Sequence, residues 1–201
     1  MMLVATYVLV HGGKENGAQW AKLRPLLEEK GHTVFTPSSS DPEFCTLDDH
    51  ISEACRLLED NDLKDIILVG HSYASFIIIG VADRMPERIK HMVFIDTSLP
   101  ADGESLEDQF TKVGIAFDDF GVPKFKPFLT PLHYDEMKLR KMPKTYVRCT
   151  RSEFSMISKP VYEKVVPNAE RDNWDYFEID SDHKCMVSHP VETAEILLRE
   201  Q

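Results

Sequence analysis

Apolar, β-rich runs alternate along the chain with stretches whose apolar residues recur at helical spacing. Thr6–Val10 (TYVLV) reads as a first strand. The apolar lead from Met1 to His11 has no basic segment and no small-residue cleavage site, so it reads as strand rather than secretory signal. Ala18–Lys30 places Trp20, Leu23, Leu26 and Leu27 on one helical face; Pro25 predicts a kink or break near residue 24, and Gly31 a stop. His32–Thr36 is a second strand, ended by Pro37. Thr46, with Asp49 three residues on, caps a helix whose stripe is Ile51, Ala54, Leu57 and Leu58. Ile66–Val69 is a third strand, apolar throughout, as a strand buried on both faces of a parallel sheet should be. Tyr73 to Arg84 is apolar nearly all round and predicts a central helix. Met92–Ile95, Tyr146–Cys149 and Tyr176–Ile179 complete the strands, and Pro190 opens a last helix to Leu198.

This alternation specifies an α/β fold: a mostly parallel sheet of about six strands with helices on both faces. Residues 97–143 break the rhythm, with Pro100, Pro123, Pro127, Pro131 and Pro143, mixed polarity and no clear strand. That is too long for a plain loop. It predicts a small helical lid inserted in a single domain spanning residues 1–201.

Composition narrows the function. The chain has 201 residues, 42% hydrophobic and 28% charged, the balance of a soluble globular protein. A net charge of −11 repels phosphate backbones and anionic lipid, which disfavours a nucleic-acid or membrane-surface role. No apolar run is long enough to span a bilayer. Cys45, Cys55, Cys149 and Cys185 form no CxxC and no structural-zinc pair, so they read as reduced thiols in a cytoplasmic protein. No metal or cofactor is implied, and a homodimer is left open.

The chemistry centres on Gly70-His71-Ser72-Tyr73-Ala74, between the third strand and the central helix. A serine on a sharp strand-to-helix turn projects above the sheet edge, and the turn demands small residues two positions to either side. Gly70 and Ala74 meet that demand. His11-Gly12-Gly13 ends the first strand, which should neighbour the third. The amides of Gly13 and Tyr73 are therefore candidate oxyanion donors. Asp182-His183 follows the last strand, where an imidazole can reach back to the serine as general base. His71 and His11 read as structural histidines. His32, His50, His91 and His133 have no partner legible from sequence, and His189 reads as a helix-entry residue.

VLVHGG at 8–13, Trp20, Gly31-His32, LVGHSYA at 68–74, VFID at 93–96 with Leu99-Pro100, YVRCT at 146–150 and DSDH at 180–183 together resemble the α/β-hydrolases. Within them the chain is similar to the branch holding plant methyl-salicylate esterases, hydroxynitrile lyases and small bacterial relatives. The resemblance runs along nearly the whole chain. It implies an α/β-hydrolase fold and a carboxylic ester hydrolase that acts on a small or medium ester through an acyl-serine. The family usually begins with a two-stranded hairpin and carries a larger cap. Here the first strand is already the Gly-turn strand and the excursion is short. A shallow pocket is expected, with Phe110, Phe117, Phe120, Phe125 and Phe128 mostly packing the lid.

The triad acid departs from the family. Its usual place, two residues beyond the Cys-Thr of the fifth strand, holds Ser152. Two carboxylates can substitute: Asp96, which ends the fourth strand at the same sheet edge as Ser72, and Glu153, one residue late. A site with no acid is the third option, and adjacency argues against Asp182. Two other functions stay open. A hydroxynitrile-lyase-like activity would need a lysine that is not matched here, since Lys184 lies on the wrong side of His183. A non-catalytic small-molecule-binding homologue would follow from a missing acid.

Overall fold

In the computed structural model, which describes residues 4–200, one six-stranded sheet carries the chain in the order β2-β1-β3-β4-β5-β6, every pair parallel. Met1–Leu3, part of the apolar lead, lie outside the described residues. The strands are β1 Thr6–Val10, β2 Thr33–Phe35, β3 Ile66–His71, β4 Ile89–Ile95, β5 Lys144–Cys149 and β6 Trp174–Ile179. Side chains alternate across the pleat. Val8, Val10, Ile66, Leu68, Met92 and Phe94 face one core layer, while Tyr7, Leu9, Ile67, Val69, Val93 and Ile95 face the other. This double burial is why the strands read as continuous apolar runs.

The first layer is covered by α2 (Leu47–Asp60), α3 (Ala74–Arg84) and α8 (Ser155–Val165). The second is covered by α1 (Arg24–Glu28), α10 (Cys185–Ser188) and α11 (Pro190–Leu197). The capping box at Thr46 and Asp49 forms as the sequence predicts, with reciprocal bonds between side chains and backbone. Helix α3 crosses α2 closely at Gly80, where a Cβ would collide with Ile51. Residues 97–143 hold four short helices, α4 (Leu106–Lys112), α5 (Phe117–Phe120), α6 (Lys126–Leu129) and α7 (Glu136–Lys141), and an isolated antiparallel bridge between Glu104 and Leu132.

The segment 18–30 breaks near residue 24, one of the two outcomes Pro25 predicts: a 3₁₀ turn at Gly17–Trp20 precedes α1, and Pro25 sits in the first turn of α1, where its missing N–H costs no bond. Helix α8 was not legible. Ile157, Val161 and Val165 recur every four residues on its packed face, but Pro160 interrupts the helical reading. It is followed by α9 (Ala169–Asp172), whose C-cap Asn173 turns left-handed (φ 58°) into β6.

Lys144, at the start of β5, is 1% exposed, yet its ammonium is satisfied. It donates to the carbonyls of Leu139, Arg140, Met142 and Asp172 at 2.7–3.2 Å and lies 4.9 Å from the Trp174 ring centroid. Those carbonyls close the end of α7 and the turn before β6. A buried cation thus joins α7 to the sheet.

Candidate active site

The strand order reverses between β1 and β3, and ligands of parallel sheets gather at the carboxyl ends of strands on either side of such a reversal. Val10 pairs with Gly70 there, so the His11-Gly12-Gly13 turn emerges beside the Ser72 turn. Ser72 adopts φ 56°, a conformation that L-residues rarely hold, and its N–H donates to Ile95 O at 3.2 Å. The crowding of this turn is visible at Gly70, where a Cβ would stand 3.0 Å from Ile78 Cδ1 and 3.2 Å from Ala74 O. A Cβ on Gly12 would come within 3.3 Å of Ser72 Cβ, and one on Gly13 within 3.5 Å of Tyr73 Cβ. The Gly13 and Ser72-Tyr73 backbones therefore lie against each other.

Asp96 follows β4 directly, also left-handed (φ 47°), and is fully buried. Its Oδ1 accepts from Cys149 N at 3.1 Å, and its Oδ2 lies 2.7 Å from His183 Nδ1. A carboxylate on Nδ1 selects the tautomer with the proton there and leaves Nε2 bare. His183 is flanked by the tilted rings of Phe154 and His71, at centroid separations of 4.8 and 4.4 Å. Ser72, His183, Gly13 and Tyr73 all line one cavity of about 360 Å³.

The other carboxylate candidates lie apart from the imidazole nitrogens. Glu153 is exposed on the cavity rim, and no hydrogen bond joins it to His183 among the described residues. Asp182 accepts from Lys184 N and Ser188 Oγ. Ser152, at the family's usual acid position, keeps its hydroxyl 3.4 Å from His183 Nδ1 and accepts from Phe154 N. Of the five lid phenylalanines, Phe110, Phe120 and Phe128 line this cavity, together with Phe154; Phe117 packs behind Phe110, and Phe125 lines a neighbouring cavity.

A buried chain of hydrogen bonds escaped the sequence reading. Gly12 N–H donates to Gln19 Oε1 at 3.0 Å, Gln19 Nε2 donates to His71 Nδ1 at 2.6 Å, and His71 Nε2 donates to the backbone oxygen of His183 at 2.8 Å. Burial, then the nearby His183, holds the His71 pKa well below its ordinary value, so the ring stays neutral and can both accept and donate. This network ties the glycine turn to the loop that carries the imidazole. Gln19 lies beside Trp20 in a 3₁₀ turn, and nothing in its local sequence signals that role.

The remaining histidines also have partners. His11 Nδ1 lies 2.8 Å from Gly12 O, and its Nε2 accepts from Ser39 N. Tyr73 OH lies 3.0 Å from His50 Nδ1, and His50 Nε2 faces Ser40 O at 2.8 Å. His32 accepts from Ala5 N, His91 meets Thr145 and Glu200, and His133 meets Asp102. All four cysteines are buried and free. The bond to Cys185, then burial, keeps Cys149 a thiol, and the Asp96 carboxylate beside it acts in the same direction. Among the described residues, no cluster of His, Cys, Asp or Glu could hold a metal ion, and no helix is long and apolar enough to cross a membrane.

A positive-φ serine, a carboxylate-bound histidine and a glycine turn at one parallel-sheet edge are the marks of one protein class, and the chain belongs to it: the alpha/beta hydrolase fold family matches residues 7–178. Among its relatives, a carbendazim hydrolyzing esterase from Nocardioides is 37% identical over 51% of this chain and 46% of its own length. Norfluorocurarine synthase 2 from Strychnos is 30% identical over 75% of this chain and 62% of its own. Salicylic acid-binding protein 2 from Nicotiana tabacum is 34% identical over 47% and 40%. The chain thus spans about half the length of the curated relatives it matches. Among solved structures, polyneuridine aldehyde esterase superposes with a TM-score of 0.78 at 20% identity, covering 98% of this chain and 99% of that one. At that identity the likeness concerns the fold.

Proposed function

We propose that this chain is a serine-dependent carboxylic ester hydrolase. The observation that carries the reading is the 2.7 Å contact between buried Asp96 and Nδ1 of His183, the imidazole that shares a cavity with the strained Ser72. Ser72 Oγ attacks the ester carbonyl while His183 Nε2 takes its proton. The carbonyl oxygen becomes an oxyanion, held by the amides of Gly13 and Tyr73. The imidazolium, stabilised by Asp96, then protonates the leaving alcohol. Water attacks the acyl-serine by the same path in reverse, giving the acid and restoring the hydroxyl. Kinship with named esterases supports this class, and the lining of Phe110, Phe120 and Phe128 suits a small or medium ester.

For the lyase alternative, Lys184 Nζ is paired with the Glu15 carboxylate, and Lys14, which lines the cavity, donates to Gly121 O. The binding-protein alternative depends on a missing acid, and Asp96 weighs against it. The test is a fluorophosphonate probe followed by an ester panel. Labelling and turnover that vanish in Ser72→Ala are expected. Wild-type protein that takes no label and cleaves no ester would overturn the proposal.

A further inference from the structure

A second cavity, of about 420 Å³, opens beside the first. Gly13, Lys14, Glu15, Tyr73 and Phe128 line both. The partition between them is thin. The Phe128 ring meets Tyr73 edge-on at 4.8 Å, and its Cζ stands 3.3 Å from where a Gly13 Cβ would be. One aromatic ring on the four-residue helix α6 therefore closes the passage past the two oxyanion amides.

The two chambers differ in what they hold. Ser72 and His183 line only the first. If the imidazole is to protonate the leaving oxygen, the alcohol must lie in that first chamber, among Phe110, Phe120 and Phe154. The acyl group, on the other side of the carbonyl carbon, then points past Gly13 and Tyr73 toward Phe128. Each cavity alone lies near the lower end of the roughly 300–1,000 Å³ common for ligand sites; joined, they fall well inside it.

The second chamber is mixed. Ser39, Ser40, His11 and His50 line it together with Ile77 and Phe125, and Asp41 and Glu43 add carboxylates that the first chamber lacks. Its one lysine, Lys14, shared with the first chamber, donates to the carbonyl of Gly121 and keeps its charge, but the carboxylates outnumber it. Glu15 is paired with Lys184, while no ion pair engages Asp41 or Glu43 among the described residues. Such a lining repels an anionic group and suits an uncharged or cationic one.

Building on the ester-hydrolase reading, we infer that the second cavity is the acyl chamber: the protein takes esters of extended acyl groups whose far end is uncharged or cationic, with Phe128 as the gate that sets acyl length.

The test uses p-nitrophenyl esters with one leaving group and four acyl groups: acetyl, hexanoyl, 6-(trimethylammonio)hexanoyl and the adipic half-ester. Wild type should cleave the cationic ester at least tenfold faster in kcat/KM than the anionic one. Phe128→Ala should raise the hexanoyl-to-acetyl ratio at least tenfold, and Phe128→Trp should lower it. The ratio is internal to each variant, so loss of folded protein does not mimic it. The exposed pair Asp41→Asn with Glu43→Gln, which leaves the partition intact, should abolish the charge preference while keeping the hexanoyl-to-acetyl ratio. Ratios that stay at the wild-type value in both Phe128 variants, or a charge preference unmoved by the loop pair, would overturn the inference. Absence of any Ser72-dependent acetate hydrolysis would instead defeat the ester-hydrolase reading itself.

Discussion

Replacing Asp96 by asparagine tests the site most sharply, because the structure dictates which way the new amide must face. Cys149 N–H needs an acceptor and now finds it in Asp96 Oδ1 at 3.1 Å. The introduced amide keeps that bond only by placing its oxygen there, which turns its NH₂ toward His183 Nδ1. The imidazole must then present a lone pair at Nδ1 and carry its proton on Nε2, where it can no longer accept from Ser72. In a serine protease the same inversion costs about 10⁴ in turnover, equivalent to roughly 5 kcal/mol of transition-state stabilisation. We expect a loss of that order in kcat, with KM and the urea midpoint little changed. Asp96→Ala should keep more activity than Asp96→Asn, since it imposes no tautomer and Ser152 Oγ, 3.4 Å from Nδ1, can accept its proton. Glu153→Gln should stay within about threefold of wild type, as an exposed residue with no bond to the imidazole. Steady-state hydrolysis of p-nitrophenyl acetate reads all three. An Asp96→Asn enzyme within tenfold of wild type would refute the reasoning.

Three further outcomes follow from other parts of the molecule. Gln19→Leu cuts the link between the glycine turn and His71; we expect kcat to fall by up to about 10², the cost of a displacement on the ångström scale, with Ser72 still labelled by a fluorophosphonate, and unchanged kcat would count against the network. Lys144→Met strips the donor from its carbonyl partners and should lower stability by on the order of 1–3 kcal/mol, measured by urea unfolding. His91 is held down to about 4 by burial, so the folded state binds its proton less tightly than the unfolded state does. Its contribution to stability is complete above its ordinary value near 6.5 and is lost as pH falls toward 4, on the order of 3 kcal/mol over that window. Glu200, raised chiefly by burial, works in the opposite sense as acid is added. Urea midpoints between pH 7 and pH 4 should therefore fall less steeply in His91→Gln than in wild type, and parallel slopes would refute the assignment.

Residue patterns along the chain defined the layers and the edge where chemistry could sit. Strands buried on both faces are apolar along their length, so β3 and β4 announced themselves, and a serine between small residues, with a strand before it and an apolar helix after it, marked a tight strand-to-helix turn. What those patterns left open was set by contacts between residues far apart in the chain. Asp96 and His183 are separated by 87 positions, and only the order of strands brings the end of β4 under the loop beyond β6. The same holds for Gln19 and His71, and for the ring of Phe128 lying between two cavities. Helix α8 was hidden for a local reason, a proline inside its own apolar stripe. Periodicity reports which face of an element is buried; which polar groups meet across the sheet edge is decided by the packing of the whole chain.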